Sequence, residues 1–414
     1  MHLNQKLVSL VALPIAVSVI TACSSSATSS SPPTSSPSVA ASAGAGAGST
    51  IEIGEVCSCS GTFGADVSGA SQVADAWVKS TNASGGLNGH PLKVLFMNDG
   101  SNPASSVTDA ESLISDHVAV ILDLTILDST WVKQASAAKI PVIGGNFSSD
   151  QYFQDPNWYP SGQTNDSIVY SNVATAKAAG GTKLGLLYCA ESPQCQVSVT
   201  PTGTAAKQLG LQLAYSGSIS ATAPSYTAQC LAAKEAGVDA LIILDSPSVI
   251  RNVAQDCVQQ GYTPSFVQEG SSFDNEDFTS PGLDNHLWAD FPVIPYFVDT
   301  PAVQAMNTAV DKYVPGLRSN AADWSQFSLQ AWSGLQLLKQ AVTAAGVKAG
   351  DDVSSATIIK GLDMTSNQTL GGFTPPLTFA AGQPNPVDCW YTGRVENGKP
   401  VVVNGGTYTC HSMS

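Results

Sequence analysis

The 414-residue chain carries 17 Lys and Arg against 32 Asp and Glu, a formal net charge of -15, with no cluster of basic residues. That balance excludes nucleic acid and anionic lipid surfaces as docking partners, because both need concentrated positive charge. The length exceeds what one hydrophobic core usually organises and implies two lobes.

At the N-terminus, Lys6 precedes an apolar run from Leu7 to Ile20 that ends in Thr21, Ala22 and Cys23. The run is short for a permanent membrane span and has the basic start, apolar middle and small-residue end of a secretory signal over residues 1–22. A Cys directly after Ile-Thr-Ala resembles the lipobox of bacterial lipoproteins, which implies cleavage before Cys23 and a diacylglycerol group on its thiol. The alternative is an ordinary signal peptide with Cys23 incidental. Residues 23–50 are almost entirely Ser, Ala, Pro, Thr and Gly, without charge or aromatics. Such a segment buries too little apolar surface to offset its ordering entropy and is expected to be a disordered tether. No later apolar run is long enough to cross a membrane.

From Ile51 the pattern alternates. Strands are predicted at Ile51–Val56, Leu92–Met97, Val118–Leu122, Ile140–Ile143, Lys183–Tyr188, Ala240–Leu244 and Pro264–Val267. Helical stretches fall through Val73, Ala74, Trp77 and Val78, at Pro103–Ser115 with Pro at its start, at Trp131–Lys139 and at Thr202–Leu209. Strands alternating with helices at this spacing predict an α/β protein with parallel sheets covered on both faces. Trp324, Phe327 and Trp332 read as helix core.

The stretch Asn82-Ala-Ser-Gly-Gly-Leu-Asn-Gly89 ends a helix and reverses into a strand, and Asn98-Asp99-Gly-Ser-Asn-Pro103 then leads to a helix containing Ala110, Glu111 and Ile114. Their order and spacing, continued through Ala138–Ile143 and Ala236–Ala240, resemble the branched-chain amino-acid-binding (Leu/Ile/Val-binding type) proteins of ABC importers. The resemblance covers most of residues 51 to about 300 and weakens beyond. It implies a type I periplasmic-binding fold, with two doubly wound parallel-sheet lobes joined by three hinge crossings. Mapped here, one lobe holds 51–170 plus 298–368 and the other 171–297 plus 369–414.

Ligands of open α/β sheets sit beyond the carboxyl ends of the strands. The resemblance implies that the loop after Val118–Leu122 holds a ligand carboxylate through small hydroxyl residues and backbone amides. Here the run is interrupted by Ile126 and Leu127, leaving Ser129 and Thr130 as candidates at the start of the next helix, where they could also serve simply as caps. In the following loop Ser148 aligns with a family hydroxyl and Phe147 is a candidate wall, although both could pack the lobe edge. In the second lobe, Glu269 matches an acid that faces the ligand's ammonium, a role suited to charge-assisted hydrogen bonds; the alternative is a solvated acid. Asp245 is a second acidic candidate, or a helix cap. Phe63 lies in the first loop, which covers the ligand in the family, and Tyr188 lies at the mouth of the second lobe.

Beyond Cys23, eight cysteines remain, an even number in an exported chain, and disulfides are their expected fate. Sequence alone does not fix the partners. Nearness suggests Cys57 with Cys59, Cys189 with Cys195, Cys230 with Cys257 and Cys389 with Cys410. No Cys-x-x-Cys occurs and the five histidines are scattered, so no metal and no cofactor is expected. Ser136-Ala-Ala-Lys139 matches Ser-x-x-Lys of penicillin-recognising enzymes but lacks the Lys-Thr-Gly and Ser-Asp-Asn partners. The expectation is a non-enzymatic, monomeric, lipid-anchored solute-binding component that passes a small polar metabolite to ABC permease subunits on the outer face of the cytoplasmic membrane. Alternatives are a ligand-sensing module for a signalling partner and a cell-wall hydrolase.

Overall fold

A computed structural model describes residues 48–411 other than 62–63, 148, 192 and 321–322. The signal segment 1–22, the lipidation at Cys23 and most of the 23–50 tether lie outside the described residues. The last residues of that tether are packed: Gly48 N donates to Gly89 O at 2.9 Å, and the Ser49 carbonyl bonds His90 Nδ1 at 2.8 Å.

The first lobe opens with β1 (Ile51–Cys57), α1 (Gly64–Ala83), β2 (Leu92–Asn98), α2 (Pro103–Ser115), β3 (Val120–Leu124), α3 (Val132–Ala138), β4 (Val142–Gly144), the single turn α4 (Gln151–Gln154) and β5 (Trp158–Tyr159). The five strands are parallel, in the order β2-β1-β3-β4-β5. Local chemistry explains the entry into β2. Gly85 and Gly86 take φ of 97° and 79°, which stops α1, and the Asn82 side chain clamps both backbone groups of Leu92 at 2.9 and 2.8 Å. At α2, Pro103 begins the helix and Asn102 caps it through Ala104 N and Ser105 N.

One strand lies two residues later than its sequence predicts. β3 runs to Leu124 because Val56 and Cys57 of β1 pair with Asp123 and Leu124, and the Asp123 carboxylate is satisfied by Thr125 N and the Tyr152 hydroxyl, both at 3.0 Å. Apolarity alone therefore placed its end too early.

The second lobe contains α5 (Asn165–Ala178), β6 (Lys183–Cys189), α6 (Pro193–Val197), α7 (Val199–Gln208), β7 (Gln212–Ile219), α8 (Thr227–Glu235), β8 (Ala240–Leu244), α9 (Pro247–Gln259), β9 (Ser265–Glu269) and β10 (Leu287–Phe291). Its parallel strands run β7-β6-β8-β9-β10. α5 packs on this sheet, against β8, β9 and β10. The chain returns with α10 (Pro301–Tyr313), α11 (Gln326–Ala344) and α12 (Ser355–Leu362), of which α10 and α11 pack on α1 and α12 on α11. It then crosses again to β11 (Cys389–Glu396), β12 (Lys399–Val402) and β13 (Thr409–Cys410), antiparallel strands at the β10 edge. Trp324, Phe327 and Trp332 are buried; Phe327 and Trp332 lie on α11 as expected, whereas Trp324 lies just ahead of that helix.

The three crossings lie side by side and bond to one another. Gln163 N donates to Pro292 O (3.1 Å), Thr164 N to Val387 O (3.0 Å) and Ile294 N to Phe373 O (2.8 Å). All four disulfides join the cysteine pairs suggested by nearness: Cys57–Cys59, Cys189–Cys195, Cys230–Cys257 and Cys389–Cys410. Among the described residues no helix is long and apolar enough to cross a membrane.

Candidate ligand-binding site

Strand order defines where each sheet opens. In the first lobe the order reverses between β1 and β3, and in the second between β6 and β8, so the crevices beyond their carboxyl ends are the natural ligand positions.

At the first crevice, Ser58 and Thr125 follow β1 and β3 and share a hydrogen bond at 2.9 Å; the Thr125 hydroxyl also donates to the buried Asp99 carboxylate. Beside them Asp123 and Asp128 are both buried and lie close enough to couple. Burial, reinforced by Asp128, holds the Asp123 carboxyl well above the usual carboxylate range. Burial also raises Asp128, to about 6, against the hydrogen bond donated by Ser149.

Ser129 and Thr130 fall in a 3-10 turn, Asp128–Thr130, ahead of the seven-residue α3, and neither caps that helix. The Thr130 hydroxyl donates to Leu127 O at 2.7 Å, and Ser129 is exposed. Phe147 is 1% exposed and stands edge-on to Tyr152. Its ring tip would lie 2.7 Å from a Cβ at Gly162, so the absence of a side chain there lets Phe147 approach the crossing at 160–164. Phe63 and Ser148 lie outside the described residues.

At the second crevice, Asp245 follows β8. One carboxylate oxygen accepts Ser246 N at 2.7 Å; the other is buried with no partner among the described residues. Burial, with Glu191 nearby, raises Asp245 to about 6. Ser246, rather than Asp245, occupies the cap position of α9. Glu269 is the last residue of β9 rather than a loop acid, opposite Asp290 in the ladder. It is half-buried, and desolvation pushes its carboxyl up despite the hydrogen bond from Ser271 at 2.7 Å. Ser271 in turn accepts from Gln330 Nε2 at 2.9 Å. Gln330 stands on α11, so a hydrogen-bonded path runs from the first lobe to the Glu269 carboxylate of the second. Among the described residues no hydrogen bond joins Ser129 or Thr130 to Asp245 or Glu269.

Sequence reasoning missed Ser58, Asp99, Asp123, Ser271 and Gln330. A signal for the last existed: Gln326, Gln330 and Ser333 recur at helical spacing in an apolar helix and are all buried, which predicts a polar stripe with partners. Gln326 takes Tyr296 N at 3.1 Å and donates to Ile294 O at 3.0 Å, tying the second crossing to α11. Ser136 of the Ser-x-x-Lys match donates to Asp155, and Lys139 ends α3 in a left-handed turn. Among the described residues no group of three or more His, Cys, Asp or Glu could hold a metal ion.

No match was found among curated proteins. Among solved structures, the chain is similar to the fatty acid ABC transporter substrate-binding protein from Thermomonospora curvata, with TM-score 0.74 and 19% identity over 89% of this chain and 95% of that one. It is also similar to a branched-chain amino acid ABC transporter protein from Thermus thermophilus with bound valine, with TM-score 0.75 and 14% identity over 89% and 98%. A third is a solute-binding protein from R. palustris in complex with benzoate, with TM-score 0.71 and 18% identity over 88% and 98%. These likenesses bear out the expected type I periplasmic-binding fold. The sequence model of one family, described as periplasmic binding protein, matches residues 50–400, and the chain belongs to that family.

Proposed function

We propose that the protein is the solute-binding component of an ABC importer, holding a small polar metabolite, an amino acid or related amide, between its lobes. The observation that carries this reading is the set of three crossings bonded side by side between two sheets, each with carboxylates at its crevice. Such a hinge gives open and closed forms that a permease can distinguish. The lobe boundaries of the mapped family pattern, 51–170 plus 298–368 and 171–297 plus 369–414, belong to this reading, adjusted so that α5 moves with the second lobe.

Glu269 and Asp245 would face the solute from the second lobe. Phe63, Ser129, Thr130, Phe147 and Ser148 would face it from the first. Cys23 would carry the lipid that keeps the protein on the outer face of the cytoplasmic membrane beside its permease, and the solute would leave unaltered. A thermal-shift screen against amino acids, amides, ureas, amines and aromatic acids tests the reading: a saturable rise in Tm for one class supports it, and none for any class contradicts it.

A further inference from the structure

We infer that the solute is a small amine or amide that presents N–H donors and carries no carboxylate. This rests on the solute-binding reading above and narrows it.

An anion needs hydrogen-bond donors or positive charge, and the crevice loops offer no positive charge. Between each of the strands β1–β10 and the helix or helical turn that follows it, the sequence contains no Lys, Arg or His. The same segments contain Asp99, Asp150, Glu191, Asp245 and Asp299, and Asp128 opens the turn after β3. Arg251, on the helix α9 that follows β8, is committed to Asp274 at 2.8 Å, Glu276 at 2.8 Å and Asp277 at 3.0 Å.

Backbone amides are the other resource for an anion, and in the loops after β3 and β4 eight of them are spent internally. Thr125 N donates to Asp123 Oδ1 (3.0 Å), Ile126 N to Ser58 Oγ (3.4 Å), Leu127 N to Thr125 Oγ1 (3.0 Å) and Ser129 N to Asp128 Oδ1 (2.7 Å). Thr130 N and Trp131 N bond the carbonyls of Leu127 and Asp128, and Gly145 N and Asn146 N both reach the Asp123 carbonyl. The protein's own carboxylates, hydroxyls and carbonyls thus occupy these donors, Asp123 and Asp128 taking one amide each through their carboxylates. A carboxylate brought there would meet buried acids and lose its hydration without compensation.

Acceptors, by contrast, are in surplus. Among the described residues Asp245 keeps a buried oxygen without a partner, and Glu269 accepts one hydrogen bond, from Ser271. Groups of this kind reward N–H donors, and most of all a cation, in a partly dry crevice.

The test is isothermal titration calorimetry on the purified full chain with matched compounds: L-leucine against L-leucinamide and isoamylamine, and benzoate against benzamide and benzamidine. The inference expects the carboxylate-free members to bind at least about tenfold tighter than the acid of the same scaffold. An acid that binds as tightly as, or tighter than, its amide or amine overturns the inference and leaves the solute-binding reading intact. If no amide or amine in the set binds while the thermal-shift screen finds a ligand of another class, the inference falls alone. If that screen is also silent, both fall.

Discussion

Two carboxylates set the residue-scale expectations. Glu269 lies at a strand end with one hydroxyl partner. Glu269→Gln should weaken binding of an amine-bearing solute by about 1–3 kcal/mol, read by calorimetry, since it removes a charge-assisted hydrogen bond but keeps the shape. Unchanged affinity would remove Glu269 from the site. Glu55 is a different case: it is 1% exposed within β1, and one of its oxygens has no partner among the described residues. Burial raises its pKa to about 7, outweighing the hydrogen bond with Ser71, and Asp75 adds to the rise. The folded state therefore holds this proton at pH values where the unfolded chain has lost it. The penalty is absent below the ordinary carboxyl pKa, grows as pH rises, and is complete above 7. Glu55→Gln should stabilise the fold at pH 8 by about 3 kcal/mol and change little at pH 4, seen in urea midpoints at both values. An equal effect at both pH values would contradict the buried-acid account. The sequence pointed to Glu269 through its resemblance to the family's acidic position after a strand, and to Asp245 through its place at the end of an apolar strand. It hid Asp123 and Glu55, because an acid inside a strand is legible only once its hydrogen-bond partners are known.

Among the elements, strands that are apolar throughout, such as Ala240–Leu244, and helices with an explicit start, such as Pro103–Ser115, have the bounds their sequences predict. Less legible were elements whose ends depend on a neighbour. β3 is extended by pairing with β1, and Ser129 and Thr130 fall in a separate turn rather than at a helix start. The disulfides are also an element-scale feature. Cys230–Cys257 ties α8 to α9, both cysteines fully buried, across 27 residues. Replacing both with Ala should cost about 2–4 kcal/mol, through the entropy regained by the unfolded chain and the cavity left in the packing, measured as a lower urea midpoint. A variant as stable as the parent would show that the helix pair needs no such tie.

For the whole molecule, the two-lobe plan was legible from alternation and from the Asn82–Gly89 and Asn98–Pro103 stretches, because each lobe repeats a local strand-and-helix rule. The hydrogen bonds between the crossings were not, since Gln163, Pro292, Val387 and Phe373 are far apart in sequence and carry no local pattern. Anchoring is tested apart from binding: Cys23→Ala should shift the protein from the membrane fraction to the soluble one, and persistent membrane association would contradict a lipid at that residue. The most direct test of the central claim, that two hinged lobes close on a solute, is small-angle X-ray scattering with and without the saturating ligand found by thermal shift. The account predicts a smaller radius of gyration in the bound protein, and identical scattering curves at full occupancy would contradict it.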